Sequence, residues 1–386
     1  MKIGIDARLY GTKHGGIGRY TQELIKYLEQ NVSREPKAGD QYLVFVSRDG
    51  FKDYQPQNPN FKKVKANFRV YSWQEQLIFP FLLWRHRLNL VHFTHFNAPI
   101  FYLGEFVVTI HDLIISHFPD SRATTLGPFK YLIKLKLYKV VVSHIAHKAQ
   151  KIIAVSNFTK EDIAKQLKVN IAKIQTIYEG VDFSPAVEKS NCGKVLTDLG
   201  LNKRFLIYVG SAYPHKNLEK LVLAFQKIVR EGADLQLALV GKKNFFYNQV
   251  EKFIAKGENL SGQPTKNIIL TDYLEDDKLA CLYQSANVYV FPSLIEGFGL
   301  PPLEAQHYGL PVVSSNATCL PEILGNSALY FDPSNVDDMA EKIKQLIDNE
   351  PLKMDLILKG QENLKRYSWD KTAKETLQVY ENILSK

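Results

Sequence analysis

Two carboxylates eight residues apart, Glu296 and Glu304, bracket the run Gly297-Phe298-Gly299-Leu300-Pro301-Pro302-Leu303. The apolar stretch Val288-Tyr289-Val290-Phe291 leads into it, and Gly309-Leu310-Pro311-Val312-Val313 follows. Proline is tolerated in the first turn of a helix, so Pro301 and Pro302 mark a helix start. Gly297 and Gly299 let the backbone approach a ligand closely. Free N–H groups at such a start bind phosphate. Two glutamates beside a phosphate are mutually awkward unless each accepts hydrogen bonds from neutral hydroxyls. A sugar supplies hydroxyls beside Glu296, and a ribose supplies them beside Glu304. The pattern reads as a nucleotide-sugar site. An ordinary strand–turn–helix with a capping acid would share the glutamates but not the glycine–proline insert.

Other residues carry chemistry more ambiguously. Lys216 lies in Gly210-Ser211-Ala212-Tyr213-Pro214-His215-Lys216-Asn217-Leu218. A cation there can neutralise a departing diphosphate, although most lysines are simply exposed. His111 follows the apolar run Phe106 to Ile110. The carboxyl ends of parallel strands face the binding crevice, which favours a role for His111 over that of a hydrogen-bonded structural histidine. Gly15-Gly16-Ile17-Gly18 lacks the spacing of a dinucleotide fingerprint. It suits a turn or a flexible loop meeting a ligand. Tyr71, Trp73, Glu75, His92, His95 and Asn97 suit sugar stacking and hydroxyl bonding. They equally suit a core-facing helix followed by a loop.

The elements that must hold these groups alternate along the chain. Strand-like runs cover residues 2–6, 42–46, 90–93, 106–110, 151–155 and 174–177, with helical patterns at 18–30, 73–86 and 127–149. The pattern restarts near residue 204 with Phe205-Leu206-Ile207-Tyr208-Val209-Gly210. Further strands are expected at 235–240, 268–270, 288–291, 311–314 and 329–331. Helices are expected at 218–230, 276–286, 301–307, 336–348 and 352–367. Such alternation predicts an α/β protein with parallel sheets covered on both faces. The polar stretch 184–201 reads as the linker. The expected domains are therefore residues 1–183 and 200–368, both doubly wound, with ligand between the carboxyl ends of their sheets. Ser368 reads as the N-cap of a last helix, 369–386, that packs back on the first domain.

Composition narrows the class. The 386 residues are 45% hydrophobic and 23% charged, ordinary for a globular protein of two domains. The longest apolar run, Leu77 to Trp84, is far short of a membrane span. The start, Met1-Lys2-Ile3-Gly4-Ile5-Asp6, reads as a strand rather than a signal peptide, so a cytoplasmic location is expected. Cys192, Cys281 and Cys319 make no metal pattern and are expected to be reduced thiols. The net charge is +9, and between Ser121 and Lys160 eight Lys or Arg stand without one Asp or Glu. Aromatic and aliphatic residues interleave with them. The segment reads either as a solvated helix face or as a peripheral membrane surface at 121–160. No nucleic-acid module is present, so no nucleic-acid partner is expected.

Taken together, the chain resembles a retaining glycosyltransferase of family 4 with the GT-B fold, two Rossmann-like domains facing across a cleft. The resemblance rests on Glu296 and Glu304, on Gly4-Ile5-Asp6-Ala7-Arg8, and on Gly15-Gly16-Ile17-Gly18-Arg19-Tyr20. Thr109-Ile110-His111-Asp112-Leu113, Ala154-Val155-Ser156-Asn157-Phe158 and Trp369 add to it. The branch it most resembles contains mannosyltransferases that use GDP-mannose and build surface polysaccharides. The resemblance implies hexose transfer to a glycan or lipid-linked acceptor, without a metal or other cofactor. It implies that Glu296 holds sugar hydroxyls and Glu304 the ribose. Lys216 and the amides of Phe298, Gly299 and Leu300 would hold the diphosphate, with Gly15, Gly16 and Ser211 beside it. His111 would touch the transferred sugar, with Asp112 orienting it or capping the next segment. Backbone near Tyr273 and Leu274 would meet the base, which leaves guanine and uracil both open. Many relatives carry arginine where this chain has Ser211 or His215, so one positive charge is either missing or replaced by protonatable His215. A disaccharide synthase or phosphorylase on the same fold, and a nucleotide-sugar-binding protein without catalysis, are the alternatives.

Overall fold

The computed structural model describes residues 1–35, 40–118, 127–181, 192–256 and 267–385. Two units are compact by themselves. Unit 1 comprises Met1–His117, Leu132–Gly180 and Tyr367–Lys386; unit 2 comprises Phe118–Tyr131 and Val181–Arg366. The expected linker begins outside the described residues, at 184–191.

Unit 1 is built on a seven-stranded sheet in the order β3-β2-β1-β4-β5-β6-β7. Its strands are β1 (Lys2–Ala7), β2 (Gln41–Val46), β3 (Phe61–Lys65), β4 (Leu90–Phe93), β5 (Phe106–Ile110), β6 (Lys151–Ala154) and β7 (Ile174–Thr176). Every described pairing is parallel. Strand β3 escapes the sequence pattern because Phe61-Lys62-Lys63-Val64-Lys65 is mostly charged. A lysine-rich strand suits a sheet edge, where it discourages pairing with other chains. The helices of this part are α1 (Gly15–Asn31), α2 (Arg48–Asp53), α3 (Trp73–Arg85), α4 (Ile114–His117), α5 (Pro128–Lys148) and α6 (Asn157–Leu167).

Parallel strands buried on both faces alternate their side chains between two layers. One layer joins Leu43 and Phe45 of β2 to Phe79 and Leu83 of α3, Tyr138 and Val142 of α5, and Ile163 of α6. The other joins Tyr42, Val44 and Val46 to Tyr20, Leu24 and Leu28 of α1. The last helix of the chain, Trp369–Leu384, completes that second layer through Trp369, Ala373, Val379 and Tyr380. Ser368 caps it, accepting from the Lys371 N–H at 3.5 Å. A Cβ at Gly180 would come within 2.2 Å of the Trp369 nitrogen, so only glycine lets the end of unit 1's sheet region meet this helix.

Unit 2 holds a six-stranded sheet in the order β10-β9-β8-β11-β12-β13, again parallel throughout the described pairings. Its strands are β8 (Phe205–Val209), β9 (Gln236–Val240), β10 (Ile268–Asp272), β11 (Val288–Phe291), β12 (Val312–Ser315) and β13 (Ala328–Phe331). The helices are α7 (Cys192–Asp198), α8 (Leu218–Arg230), α9 (Phe245–Ala255), α10 (Asp276–Ser285), α11 (Leu300–His307), α12 (Leu320–Leu324), α13 (Val336–Ile347) and α14 (Glu350–Leu364), before α15 (Trp369–Leu384) returns to unit 1. Both sheets start in the middle, at β1 and β8, and wind outward in both directions. Both are therefore Rossmann-like, and the protein is α/β.

One expectation about the cysteines is corrected. Cys192 and Cys281 form a disulfide, and only Cys319 is a free, buried thiol. Packing of α7 on α10 brings the two Cα atoms to 5.1 Å although 89 residues separate them in sequence. Wide spacing in sequence carries no information about such a meeting. Among the described residues no helix is long and apolar enough to cross a membrane.

The closing helix generates a stability prediction. Trp369 is 3% exposed and packs 5.7 Å from the Tyr20 ring. Trp369→Ala should cost about 3–5 kcal/mol by leaving a cavity between α1 and α15. Urea unfolding checks this; a midpoint unchanged from the parent protein would mean that α15 is only loosely attached.

Candidate active site

Consider first where β8 and β11, neighbours in the sheet but not in sequence, release their chains. Beyond β8 the chain passes through a single 3-10 turn, Pro214–Lys216, and enters α8. Asn217 lies between them at φ 61, in the left-handed region that asparagine tolerates. Its amide donates to the carbonyl oxygens of Pro292 at 3.1 Å and Pro333 at 2.8 Å. Those two bonds tie the β8 loop to the exit of β11 and fix Lys216. The Lys216 ammonium donates to Glu296 Oε1 at 2.5 Å and lies 5.7 Å from the centre of the Phe291 ring. Glu296 is 7% exposed, so this ion pair is largely out of water.

The backbone around Glu296 is held as firmly as its side chain. Its N–H donates to Thr318 Oγ1 at 3.1 Å. The Cys319 thiol donates to the carbonyl oxygens of Glu296 and Phe298, both at 3.3 Å. Burial pushes that thiol's pKa well up, so it keeps its proton. Gly299 then precedes α11 at φ 99, a conformation that strains any residue with a Cβ. Pro301 and Pro302 follow in the first turn. One turn further on, Glu304 Oε2 accepts from the buried Tyr283 hydroxyl at 3.2 Å. Burial and the Glu304 charge push the Tyr283 hydroxyl well above its ordinary pKa, so it acts as a donor.

Not every residue marked by the sequence joins this cluster. Tyr273 and Leu274 follow β10, at the sheet edge two strands from β8, and the Tyr273 N–H is taken by Asp272 Oδ1 at 2.7 Å. The Ser211 carbonyl accepts from the Tyr208 hydroxyl at 2.7 Å. His215 decides between the two alternatives. Burial, with the Lys216 charge beside it, pushes its pKa down to about 4, so it does not replace a missing cation at neutral pH. Gly15 and Gly16 belong to unit 1 and open α1; they form its first turn rather than a flexible loop.

His111, just past β5, also belongs to unit 1. Its Nδ1 faces Glu179 Oε1 at 3.0 Å, and its Nε2 faces the Thr94 carbonyl at 3.0 Å. Both partners are acceptors, so both ring nitrogens carry protons and the ring is an imidazolium. Burial opposes that charge, but Glu179, the Thr94 carbonyl and Asp112 outweigh it and hold the His111 pKa up. Tyr20 packs edge-on at 4.6 Å. Glu179 is the partner of His111 that the sequence did not reveal. Asp112 instead caps α4, accepting from the Ile114 N–H at 2.9 Å.

The aromatic and polar group expected on the acceptor side divides. His92 is a core residue: its ring nitrogens meet the Tyr380 hydroxyl at 2.6 Å and Thr109 Oγ1 at 2.8 Å. Burial pushes its pKa down to about 3. Glu75 is fully buried, paired with Arg8 and Asn97. Tyr71 and Trp73 are exposed. Among the described residues no cluster of His, Cys, Asp and Glu is arranged to hold a metal ion.

Two family models match, one to each part of the chain. Residues 14–184 match Glycosyltransferase Family 4, and residues 197–363 match Glycosyl transferases group 1. The chain belongs to the family 4-like glycosyltransferases. It is a glycosyltransferase enzyme with the GT-B type of fold. It is 28% identical over 385 residues to the O-antigen chain mannosyltransferase B of Escherichia coli, covering 95% of each chain. In fold it is similar to the sucrose-phosphate synthase of Thermosynechococcus elongatus, with TM-score 0.76 and 18% identity over 100% of this chain and 99% of that one. HepE of Anabaena, solved in complex with UDP-glucose, gives TM-score 0.71 and 17% identity over 99% and 100%.

The His111–Glu179 pair predicts a pH dependence. A histidine whose folded pKa lies above its unfolded value of about 6.5 stabilises the fold fully below that pH. The contribution is lost as pH rises through the folded value. Glu179→Gln should therefore leave His111 neutral at pH 7, and ring-nitrogen NMR titration should show it. Melting curves should show the parent protein losing stability from about pH 6.5 upward and the variant lacking that loss. An imidazole that titrates identically in both proteins would mean that Glu179 does not hold the charge.

Proposed function

We propose that this glycosyltransferase moves a hexose from a nucleotide diphosphate sugar to an acceptor hydroxyl with retention of anomeric configuration. Mannose from GDP-mannose is the favoured donor, and a growing glycan or lipid-linked sugar the favoured acceptor, in polysaccharide or glycolipid synthesis. The similarity to an O-antigen mannosyltransferase supports the sugar and the pathway class. The observation that carries the reading is the buried Lys216–Glu296 ion pair at the β8/β11 switch point, immediately before the start of α11.

In this reading unit 2 binds the donor and unit 1 the acceptor. A departing diphosphate competes with Glu296 for Lys216. Once Lys216 turns to phosphate, Glu296 is free to accept sugar hydroxyls, and the ionic bond lost is replaced by another. The start of α11, with its amides at Phe298, Gly299 and Leu300, faces the developing negative charge as an electrostatic stabiliser. Glu304 accepts from the ribose, with Tyr283 holding it in place. The family resemblance assigns Gly15, Gly16 and Ser211 to the diphosphate, and Tyr273 and Leu274 to the base. His111 has no free basic nitrogen in this geometry, so it acts as a fixed cation near the transferred sugar. The acceptor proton goes to the donor phosphate oxygen as the glycosidic bond to that oxygen breaks. No metal is needed to balance the charge.

A peripheral membrane role has its own support. Helix α5 buries Tyr138, Val142 and Ile145 but exposes Leu132, Ile133, Leu137 and Val140 among Lys134, Lys136 and Lys139. On α3 the exposed residues Trp73, Leu77, Phe81 and Trp84 recur at helical spacing. Both helices cover the same layer of the unit 1 sheet. Apolar residues among lysines suit an anionic lipid surface.

Two experiments test these readings. Purified protein should hydrolyse or transfer from GDP-mannose in preference to UDP-glucose, and Glu296→Gln should lower turnover by about 100-fold or more. If no donor is hydrolysed or transferred while Glu296→Ala binds every donor as well as the parent, the reading fails. Separately, reversing Lys134, Lys136 and Lys139 to Glu should abolish co-sedimentation with phosphatidylglycerol vesicles, since each basic residue near such a surface contributes about 1 kcal/mol. Unchanged sedimentation would make α5 a solvated face.

A further inference from the structure

Unit 1 has its own switch point, where β1 and β4 lie side by side but lead their chains apart. A small cavity opens there, lined by Asp6, Arg8, Val70, Thr94, His95 and Asn97. It has room for roughly one water-sized group. Arg8 is 3% exposed. Its Nε and Nη2 grip the two Asp6 oxygens at 2.8 and 2.7 Å, and Nη2 also meets Glu75 Oε1 at 2.7 Å. Its face lies 4.2 Å from the centre of the Phe79 ring. Nη1 alone has no hydrogen-bond partner among the described residues, although it is buried. A buried donor without an acceptor is costly and calls for an explanation.

The surroundings state what the missing acceptor is. The cations nearest the cavity are already paired: Arg8 with Asp6 and with Glu75, whose pKa burial raises against the pull of Arg8 and Asn97, and His111 with Glu179. Among the described residues a carboxylate or phosphate would find no unpaired cation there and would meet the Asp6 carboxylate in the cavity lining, whereas a neutral oxygen needs only a donor. His95 accepts from the Asn97 N–H at Nδ1, at 3.3 Å, which leaves the ring proton on Nε2. Burial, with the charges of His111 and Arg8, pushes its pKa down to about 3, so it adds a neutral donor and no charge. Tyr71 stands 6.5 Å from the His95 ring, edge-on, and is well exposed. It is held at φ 60, and its N–H donates to Glu75 Oε2 at 2.7 Å. A non-glycine residue in that region costs energy and is retained where surrounding contacts impose it. The same Glu75 that neutralises Arg8 thus also positions an exposed aromatic ring, with Trp73 two residues on. An aromatic wall beside a few fixed donors is how polar ligands with apolar faces are held.

We infer that this cavity receives one hydroxyl group of a neutral, unphosphorylated sugar of the acceptor, with Arg8 Nη1 donating to its oxygen and the Tyr71 ring against the sugar face. The inference rests on the transferase reading and adds to it a residue-level acceptor subsite and a charge rule. Neutral hexoses enter; uronic acids and sugar phosphates do not.

Saturation-transfer NMR with methyl α-D-mannopyranoside and methyl α-D-glucuronide tests it. The parent protein should bind the neutral glycoside at least tenfold more tightly than the glucuronide. Arg8→Lys, which keeps the charge but loses the fork, should weaken the glycoside at least tenfold. Tyr71→Ala should do the same, and, being on the surface, it keeps the test alive if Arg8→Lys fails to fold in a melting curve. No glycoside binding, equal binding of the glucuronide, or Tyr71→Ala indistinguishable from the parent overturns the subsite. So does a crystal structure with the glycoside in which an ordered water keeps the Nη1 position. Donor hydrolysis by the parent protein, measured in the same preparation, separates the two claims. Hydrolysis without glycoside binding sinks the subsite alone; donors neither bound nor hydrolysed sink the transferase reading.

Discussion

A parallel sheet that begins in its middle cannot cover its own switch point. Strands β1 and β8 each sit centrally, and the chain winds away from them first to one side and then to the other. The loops leaving β1 and β4, and those leaving β8 and β11, therefore part company and leave a gap that no crossover helix fills. Side chains of those loops meet at the gap although the sequence separates them widely: Lys216 and Glu296 are 80 residues apart, yet they share a proton-bearing bond. The positions of Lys216, Glu296 and Arg8 follow from that topology.

The gaps are places where charge is buried, and buried charge must be compensated. Removing one member of a buried pair costs about 3–5 kcal/mol, because the survivor is stranded out of water. Such a penalty makes the pairs geometric constraints as well as chemical groups. Lys216 and Glu296 hold one another, while Asn217 and Thr318 hold the backbones from which they spring. His111 is held in the same way between Glu179 and the Thr94 carbonyl. Asn217 and Thr318 both adopt positive φ, at 61° and 57°. Strain of that kind, next to buried ion pairs, is retained because tertiary contacts outweigh it.

This logic separates what the sequence could show from what it could not. Strands β4, β5, β8 and β11 were readable to the residue, because strands buried on both faces are continuous apolar runs. Edge strand β3 was not, because its lysines erase that signal. The glycine–proline run before α11 was readable since its backbone needs are written in residue types. Glu179 was invisible: nothing local distinguishes a carboxylate that will face a histidine 68 residues away. The disulfide between Cys192 and Cys281 was hidden for the same reason. The charge of His215 stayed open in the sequence because its protonation depends on burial, and burial is a property of the fold rather than of the neighbouring letters.

The two gaps also differ in how much hydrogen-bonding capacity they leave unspent. In unit 2 one cation meets one carboxylate, and among the described residues the second Glu296 oxygen and the other ammonium hydrogens of Lys216 have no further hydrogen-bond partner that would oppose exchange with a charged ligand. In unit 1 Arg8 is already held by Asp6 and Glu75, and what remains is its Nη1 amino group, without a partner among the described residues, beside a cavity with room for roughly one oxygen. Exchangeable ion pairs suit a ligand that arrives and leaves with charge. A paired ion network with one spare amino group suits a ligand that must be oriented while carrying none. An activated donor and a sugar alcohol differ in that respect, and the proposed division of roles between the two sheets rests on that difference.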